Sequence, residues 1–220
     1  MEHKQPLKIA FSGPSGIGKT TLARYVSEAY GLPFISSSMS DLVPESKNLV
    51  QQKLIRETTW ERLLMANRHN LYKQHEGWGF VTDRSFLDSI TYFIYKLGQD
   101  TREDNESTRG FLIKAVEFLS NDFTHIFLMN LDFGVKWDVE DNEKRNTNLM
   151  FQWSISHLMM GVLYGIVSES AEVGIEPIPT PYHKDKVVSF RLLTGNNPQI
   201  TIISSLDFKE RKDIINTILG

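Results

Sequence analysis

The sequence predicts an α/β fold: a three-layer sandwich with a parallel sheet of about five strands and helices on both faces. Three observations carry that expectation. Short apolar runs alternate with longer segments of helical periodicity, the pattern that buries a parallel sheet between helices. A glycine-rich loop, Gly13-Pro-Ser-Gly-Ile-Gly-Lys-Thr20, stands between the first such run and the first such helix. The chain has 220 residues and 25.3 kDa, with 40% apolar and 23% charged residues, enough for one core and one domain over 1–220.

The elements follow in order. Leu7 to Ser12 (LKIAFS) is short, apolar and closed by glycines, which suits a buried strand. From Thr20, Leu22, Ala23, Val26 and Tyr30 recur at helical spacing up to Gly31, a natural stop. Leu32 to Ser36 reads as a second strand running into three serines. Pro44 opens a long polar helical stretch in which Leu49, Lys53, Trp60, Leu64 and Leu71 share a face. Trp78 to Thr82 is a third strand ending at Asp83-Arg84-Ser85. Ser85 and Asp88 have the spacing of a capping box, and Phe86, Ile90, Phe93, Ile94 and Leu97 form the apolar face of the helix it starts. A polar break over Thr101 to Ser107 precedes a helix from Phe111 to Leu119, and Thr124 to Asn130 (THIFLMN) is a further buried strand.

Asp138 to Asn148 is dense in charge with almost no apolar anchor. It reads as a mobile, solvated segment within a lid of about residues 132–148, before a helix from Leu149 to Glu172. Ile200 to Ser204 and Phe208 to Leu219 give a last strand and a closing helix. Between them and the long helix, residues 174–197 fit no simple scheme. Ile175–Ile178 and Val187–Leu193 could be strands competing with Ile200–Ser204 for the edge of the sheet.

Composition narrows the function. With no cysteine the chain offers no disulfide, thiolate metal site or thiol nucleophile, in keeping with a reducing compartment. The net charge, 24 − 27 = −3, provides no overall field toward nucleic acid or an anionic membrane, although a local basic groove remains open. The longest apolar run found, His157 to Val167, is about half of the roughly 20 residues a spanning helix needs. No signal-peptide core follows the N-terminus, so a cytoplasmic, non-membrane protein is expected. Oligomeric state is left open, a homodimer being one possibility.

The loop is a full G-x-x-x-x-G-K-[ST] pattern, which arises by chance in about one chain in a hundred of this length. Gly13, Pro14, Ser15, Gly16, Ile17 and Gly18 would wrap phosphate oxygens with backbone amides. Lys19 would add a point charge, and Thr20 and Thr21 open a helix whose positive end faces the same anion. Thr20 would ligate magnesium through its hydroxyl. The expected ligands are therefore ATP or GTP with Mg2+.

Asp83 and Arg84 lie at the C-terminal end of a strand, where open α/β sheets bind ligands. Asp83 either holds metal-bound water or an acceptor hydroxyl there, or merely caps the next helix. Arg84 either grips a phosphate or pairs locally. Lys144 and Arg145 either belong to a closing lid that stabilises transferred charge or form a solvated charge run. Trp60, Arg62 and Arg68 lie on the long helix, where an aromatic could stack on a base and arginines could meet an acceptor phosphate. The alternatives are core for Trp60 and surface for the arginines. Asp41, following Ser36, Ser37 and Ser38, is a further candidate toward the acceptor.

The segments IAFSGPSGIGKTTLA, FVTDRSFLDSITY and the later VEDNEKR resemble the P-loop nucleoside and nucleotide kinases, a group that includes thymidylate kinases, deoxynucleoside kinases and ribosylnicotinamide-kinase-type ATPase domains. The resemblance covers residues 7 to 172. It implies a P-loop NTPase fold and an ATP- and magnesium-dependent phosphotransferase acting on a nucleoside, nucleotide or similar small molecule. Lys19, Asp83, Arg84 and Arg145 would be its catalytic groups. Two departures bear on the acceptor: Asn142 stands where the lid of the ribosylnicotinamide-kinase branch has glycine, and serines follow the second strand where deoxynucleoside kinases place a carboxylate. GPSGIGKT is also similar to guanylate kinases, without their downstream arginine and tyrosine pattern.

Two other classes compete. One is a kinase of a modified base such as 5-hydroxymethyluracil in phage-type DNA, which the negative charge disfavours. The other is an ATP-dependent switch or regulatory NTPase. No N-K-x-D motif supports a GTPase, and Arg84 occupies the place where a ring ATPase would want a second acidic residue.

Overall fold

A computed structural model describes residues 5–37, 57–98, 105–131, 148–169, 174–184 and 186–220. Within them the chain forms β1 (Lys8–Ser12), α1 (Lys19–Tyr30), β2 (Phe34–Ile35), α2 (Glu57–Lys73), β3 (Phe80–Thr82), α3 (Phe86–Leu97) and α4 (Asn105–Asn121). There follow β4 (His125–Met129), α5 (Leu149–Glu169), β5 (Gly174–Pro177), β6 (Val187–Leu193), β7 (Gln199–Ile203) and α6 (Phe208–Leu219).

The strands form one sheet in the order β2-β3-β1-β4-β7-β6-β5. The first five run parallel; β6 adds antiparallel to the free edge of β7, and β5 adds antiparallel to β6. The expected parallel sheet of about five strands is thus present and extended to a mixed sheet of seven. The two unplaced strands do not displace Ile200–Ser204; β7 keeps β4 on one side and takes β6 on the other, with Phe190 opposite Ile200. Pro177 is tolerated because β5 is the outermost strand, where a missing amide leaves no ladder position empty.

Alternation along the central strands divides the interior into two layers. Ala10, Ile126 and Leu128 pack with Phe86, Ile90 and Phe93 of α3, Ala115 and Leu119 of α4 and Ile155 and Met159 of α5. Ile9, Phe11, Phe127 and Met129 face the other way, onto Leu22, Ala23 and Val26 of α1 and Ile214 and Ile215 of α6. Helices therefore cover both faces, α2 to α5 on one and α1 with α6 on the other.

Three details differ from the sequence expectations. Trp78 is not in the third strand but 83% exposed; Gly79 takes a positive φ of 77° and the ladder begins at Phe80. The fourth helix starts at Asn105 rather than Phe111, because polar residues suit a first turn. Leu149–Ser168 is longer than the apolar run expected: over 20 residues it has a mean hydropathy of 1.2, long and apolar enough to cross a membrane by length and composition. In the fold, Ile155, Met159, Leu163 and Ile166 of this helix lie in the core.

Candidate active site

β1 lies between β3 and β4, so the chain leaves it toward one side for β2 and returns past it to β4, and a crevice opens at that reversal. The register Ala10 to Thr82 brings Ser12 and Asp83 to the same end of the sheet. Ser12 Oγ and Ser85 Oγ are 2.5 Å apart, closing the two strand ends together.

The loop after β1 has the shape its glycines permit. Gly13 has φ 141°, and a Cβ there would stand 2.6 Å from the carbonyl oxygen of Met129 at the end of β4. Gly18 has φ 92° and forms the left-handed entry to α1 with no side-chain cap, so the first amides of that helix are left for another acceptor. Lys19 is buried and folds back over the loop, its Nζ donating to the carbonyl oxygens of Gly13 at 2.7 Å and Pro14 at 2.8 Å. An ammonium held by carbonyl oxygens at the mouth of an amide-lined loop is placed to meet phosphate oxygens.

Thr20 Oγ1 donates to Asp83 Oδ2 at 2.7 Å. Asp83 is 8% exposed, and its Oδ1 is buried with no hydrogen-bond partner. Asp83 is not the cap of α3: Ser85 fills that position, accepting from the Leu87 amide, while Asp88 accepts from the Ser85 amide to complete the capping box. The carboxylate is therefore committed to Thr20 on one oxygen and unsatisfied on the other. A hydroxyl and a carboxylate side by side, with an orphaned oxygen, form the oxygen donor set that a hard divalent cation takes.

Arg84 is held locally as well. Its guanidinium pairs with Asp88 Oδ1 at 3.0 Å and lies 5.6 Å from the centroid of Tyr92. Burial would lower its pKa, but Asp88, Tyr92 and Asp83 outweigh that and hold it above the ordinary arginine value. Beneath this end of the sheet is a layer of buried hydroxyls. Tyr72 OH donates to the Arg84 carbonyl at 2.9 Å and lies 3.2 Å from Thr82 Oγ1, which is 3.1 Å from Ser37 Oγ. Burial pushes the Tyr72 phenol up to about 12.

Two acceptor candidates take other roles. Trp60 is 1% exposed and belongs to the core, as its helical spacing allowed. Arg62 lies over the rings of Phe93 and Phe111, 4.9 and 5.3 Å from their centroids, and donates to the Ser107 carbonyl at 3.0 Å. It joins α2 to α4, because the stacked Phe93–Phe111 pair offers it a π face. Asp41, Lys144 and Arg145, with the lid of 132–148, lie outside the described residues.

The structure also brings in residues that the sequence reading missed. A pocket of about 270 Å³ is lined by Gly16, Ile17, Gly18 and Thr21 together with Leu206, Phe208 and Arg211. Arg211 is 3% exposed; it donates to the Ile17 and Ser205 carbonyls, and burial lowers its pKa to about 10. Nothing local to 206–211 marks these residues. The only available signal was that the turn after a parallel strand next to β4 must lie at the same end of the sheet as the loop.

The comparisons agree with this architecture. The sequence model of the AAA domain family matches residues 8–161. Among solved structures, thymidylate kinase from Candida albicans superposes with a TM-score of 0.60 at 15% identity, over 98% of this chain and 93% of that one. Deoxyadenosine kinase from M. mycoides with bound dATP gives 0.54 at 13% identity over 97% and 99%, and with bound dCTP 0.57 at 13% over 97% and 98%. No protein of curated function matches the chain in sequence. At these identities the structural likeness establishes the P-loop NTPase fold, over nearly the whole length of the chain.

Proposed function

Since the chain belongs to the AAA domain family and has a P-loop NTPase fold, we propose that it is a phosphotransferase that moves the γ-phosphoryl group of ATP to a nucleoside, nucleotide or similar small acceptor. The observation that carries the reading is the Thr20–Asp83 contact with its unsatisfied Oδ1, directly beside the loop. Those two residues would hold Mg2+, which when bound neutralises charge on the phosphates.

The amides of 13–20 and the Lys19 ammonium bind the β- and γ-phosphates, Lys19 giving up its loop carbonyls to do so. The base of the donor enters the pocket between Thr21 and Phe208, where one wall is apolar and Arg211 fixes the loop from behind. An acceptor oxygen attacks the γ-phosphorus, the bond to the β,γ-bridging oxygen breaks, ADP leaves, and the acceptor gives up its proton as the new P–O bond forms. Asp83 orients the reacting end and Arg84 stands beside it, and Arg145 is the further candidate to stabilise the transferred charge. The named neighbours support a nucleoside- or nucleotide-type acceptor, because one is a deoxyadenosine kinase and another a thymidylate kinase.

Incubation of the purified protein with ATP, Mg2+ and a panel of nucleosides and nucleoside monophosphates tests this. One or more panel members should be converted to the next phosphorylated species with matching ADP. ATP consumption without any phosphorylated product would overturn the reading in favour of a switch, and product only on hydroxymethyluracil-containing duplex DNA, weakened by salt, would move the acceptor to nucleic acid.

A further inference from the structure

A second pocket lies at the other end of the sheet from the phosphate loop, and the scheme above gives it no role. It holds about 270 Å³, room for about nine water molecules. Its floor is a row of polar side chains across three strands. His125 opens β4, Gln199 of β7 stands directly opposite it, and Arg191 of β6 stands opposite Gln199. Residues in register share a face with their Cβ atoms about 5 Å apart, so the three form a continuous strip. Alternation puts that strip on the side of Phe127, Ile203 and Val187, the layer of α1 and α6. The phosphate loop meets the opposite end of β4, where Gly13 approaches Met129, about 13 Å from His125 at the rise of a strand.

The turn between β6 and β7 flanks the strip and is fixed in place. The Asn196 amide donates to the Ser120 carbonyl and its side-chain nitrogen to the Asn121 carbonyl, tying the turn to the end of α4. Asn197 takes a φ of 50°, a left-handed conformation that asparagine tolerates. Gln199 gives its side-chain nitrogen to Ser189 Oγ at 2.9 Å. With these nitrogens turned into the protein, Asn196 and Gln199 present their carboxamide oxygens to a ligand. His125 Nδ1 lies 3.0 Å from Thr124 Oγ1, which orients the ring and offers Nε2. Burial, with Arg191 nearby, lowers the His125 pKa to about 4, so at neutral pH the ring is uncharged and the charge of the strip is that of Arg191. Arg191 gives one N–H to Glu176 at 3.4 Å, in a solvent-exposed pair that holds it weakly, and its fork has further donors. A guanidinium beside anchored acceptors suits a molecule that brings both an oxyanion and its own N–H or O–H groups.

We infer that this pocket is a second ligand site, separate from the nucleotide site, for a small oxyanion that carries hydrogen-bond donors of its own. The oxyanion, a carboxylate or a phosphate, lies against Arg191. The donors, an ammonium or hydroxyls, lie against Asn196 and Gln199. The residues lining this pocket are all different from those lining the pocket beside the loop, so its occupant and the nucleotide bind together.

Matched probes test both halves of that ligand. Glutamate is compared with glutarate, which lacks its ammonium, and phosphoethanolamine with ethyl phosphate. Each is titrated into the full chain saturated with a non-hydrolysable ATP analogue and Mg2+. The readout is the NMR signal of the His125 ring, assigned by its loss in His125→Gln. Glutamate or phosphoethanolamine should shift that signal saturably with a Kd of about 1 mM or tighter, about 5-fold tighter than its match, as one hydrogen bond would give. The arm that saturates identifies the oxyanion as carboxylate or phosphate. Arg191→Met should weaken binding about 10-fold or more, and Glu176→Gln, which removes the competing carboxylate, should tighten it about 2-fold. If Arg191→Met does not fold, Arg191→Lys, which keeps the charge but not the fork, should show a smaller loss. No saturable shift from any of the four probes overturns the inference, as does displacement of the probe by the ATP analogue or an affinity unchanged in the Arg191 variants. Equal binding of each probe and its match overturns the assigned ligand class.

Discussion

Replacement of Asp83 by asparagine separates the two demands made on that residue. The carboxylate accepts one hydrogen bond, from Thr20 Oγ1 at 2.7 Å, and leaves Oδ1 buried without a partner. Asparagine keeps the shape and an acceptor for Thr20, so the lost contribution is the difference between a charge-assisted and a neutral hydrogen bond, about 1 kcal/mol. Against this, removing a buried negative charge relieves part of its desolvation, about 1–3 kcal/mol, with the amide nitrogen that replaces Oδ1 left as unpartnered as the oxygen was. The unliganded variant should therefore be as stable as wild type or more stable by up to about 2 kcal/mol, a rise in Tm of up to roughly 8 °C for a chain of this size. With nucleotide the sign reverses: loss of the anionic donor should lower the transfer rate about 10²–10³-fold, the usual effect of removing one preorganised electrostatic group. Thermal melts without and with ATP and Mg2+, beside initial rates, make the comparison. An unliganded Asp83→Asn protein that melts several degrees below wild type and retains its rate would refute the argument, since Asp83 would then be a structural group.

Other consequences follow from the same contacts. Gly13→Ala places a Cβ 2.6 Å from the Met129 carbonyl at a φ of 141°, so it should cost about 2–3 kcal/mol in a denaturant melt and weaken nucleotide binding. Arg211→Met leaves the Ile17 and Ser205 carbonyls without their donor; calorimetry should show about 10-fold weaker nucleotide binding, with a lower Tm. Burial, with Arg191 nearby, lowers the His125 pKa from 6.5 to about 4, so the folded chain binds fewer protons than the unfolded one between those values. Stability from this group is intact above pH 6.5 and is lost as pH falls to 4, by up to about 3 kcal/mol. His125→Gln should flatten that part of the stability–pH curve, and an unchanged slope would contradict it.

The loop and the order of elements were legible because their signals are local. A glycine is favoured where φ is positive, a run of Lys-Ile-Ala-Phe-Ser has the length of a buried strand, and Ser85 with Asp88 states its own cap. The ambiguity over Asp83 was resolved by one neighbour: with Ser85 capping α3, the aspartate has no capping duty, and its partner Thr20 lies 63 residues away. Trp60 and Arg62 mislead for the opposite reason. Helical spacing places them on α2, but Trp60 turns into the core and Arg62 is held by Phe93 and Phe111 on two other helices, which no reading of α2 contains. The base-side pocket is a meeting of residues 16–21 with 206–211, and β6 finds its place only because β7 has an edge to spare.

The central claim is that the bound nucleotide gives its γ-phosphoryl group to a small acceptor and not to water. Single-turnover reaction of [γ-32P]ATP with the full chain and Mg2+, with and without the nucleoside monophosphate panel, resolves this by the position of the label. Label should appear on a panel member at a rate well above that of free phosphate release, and Lys19→Met should abolish it. Label released only as inorganic phosphate, at the same rate whether or not the panel is present, would contradict the claim.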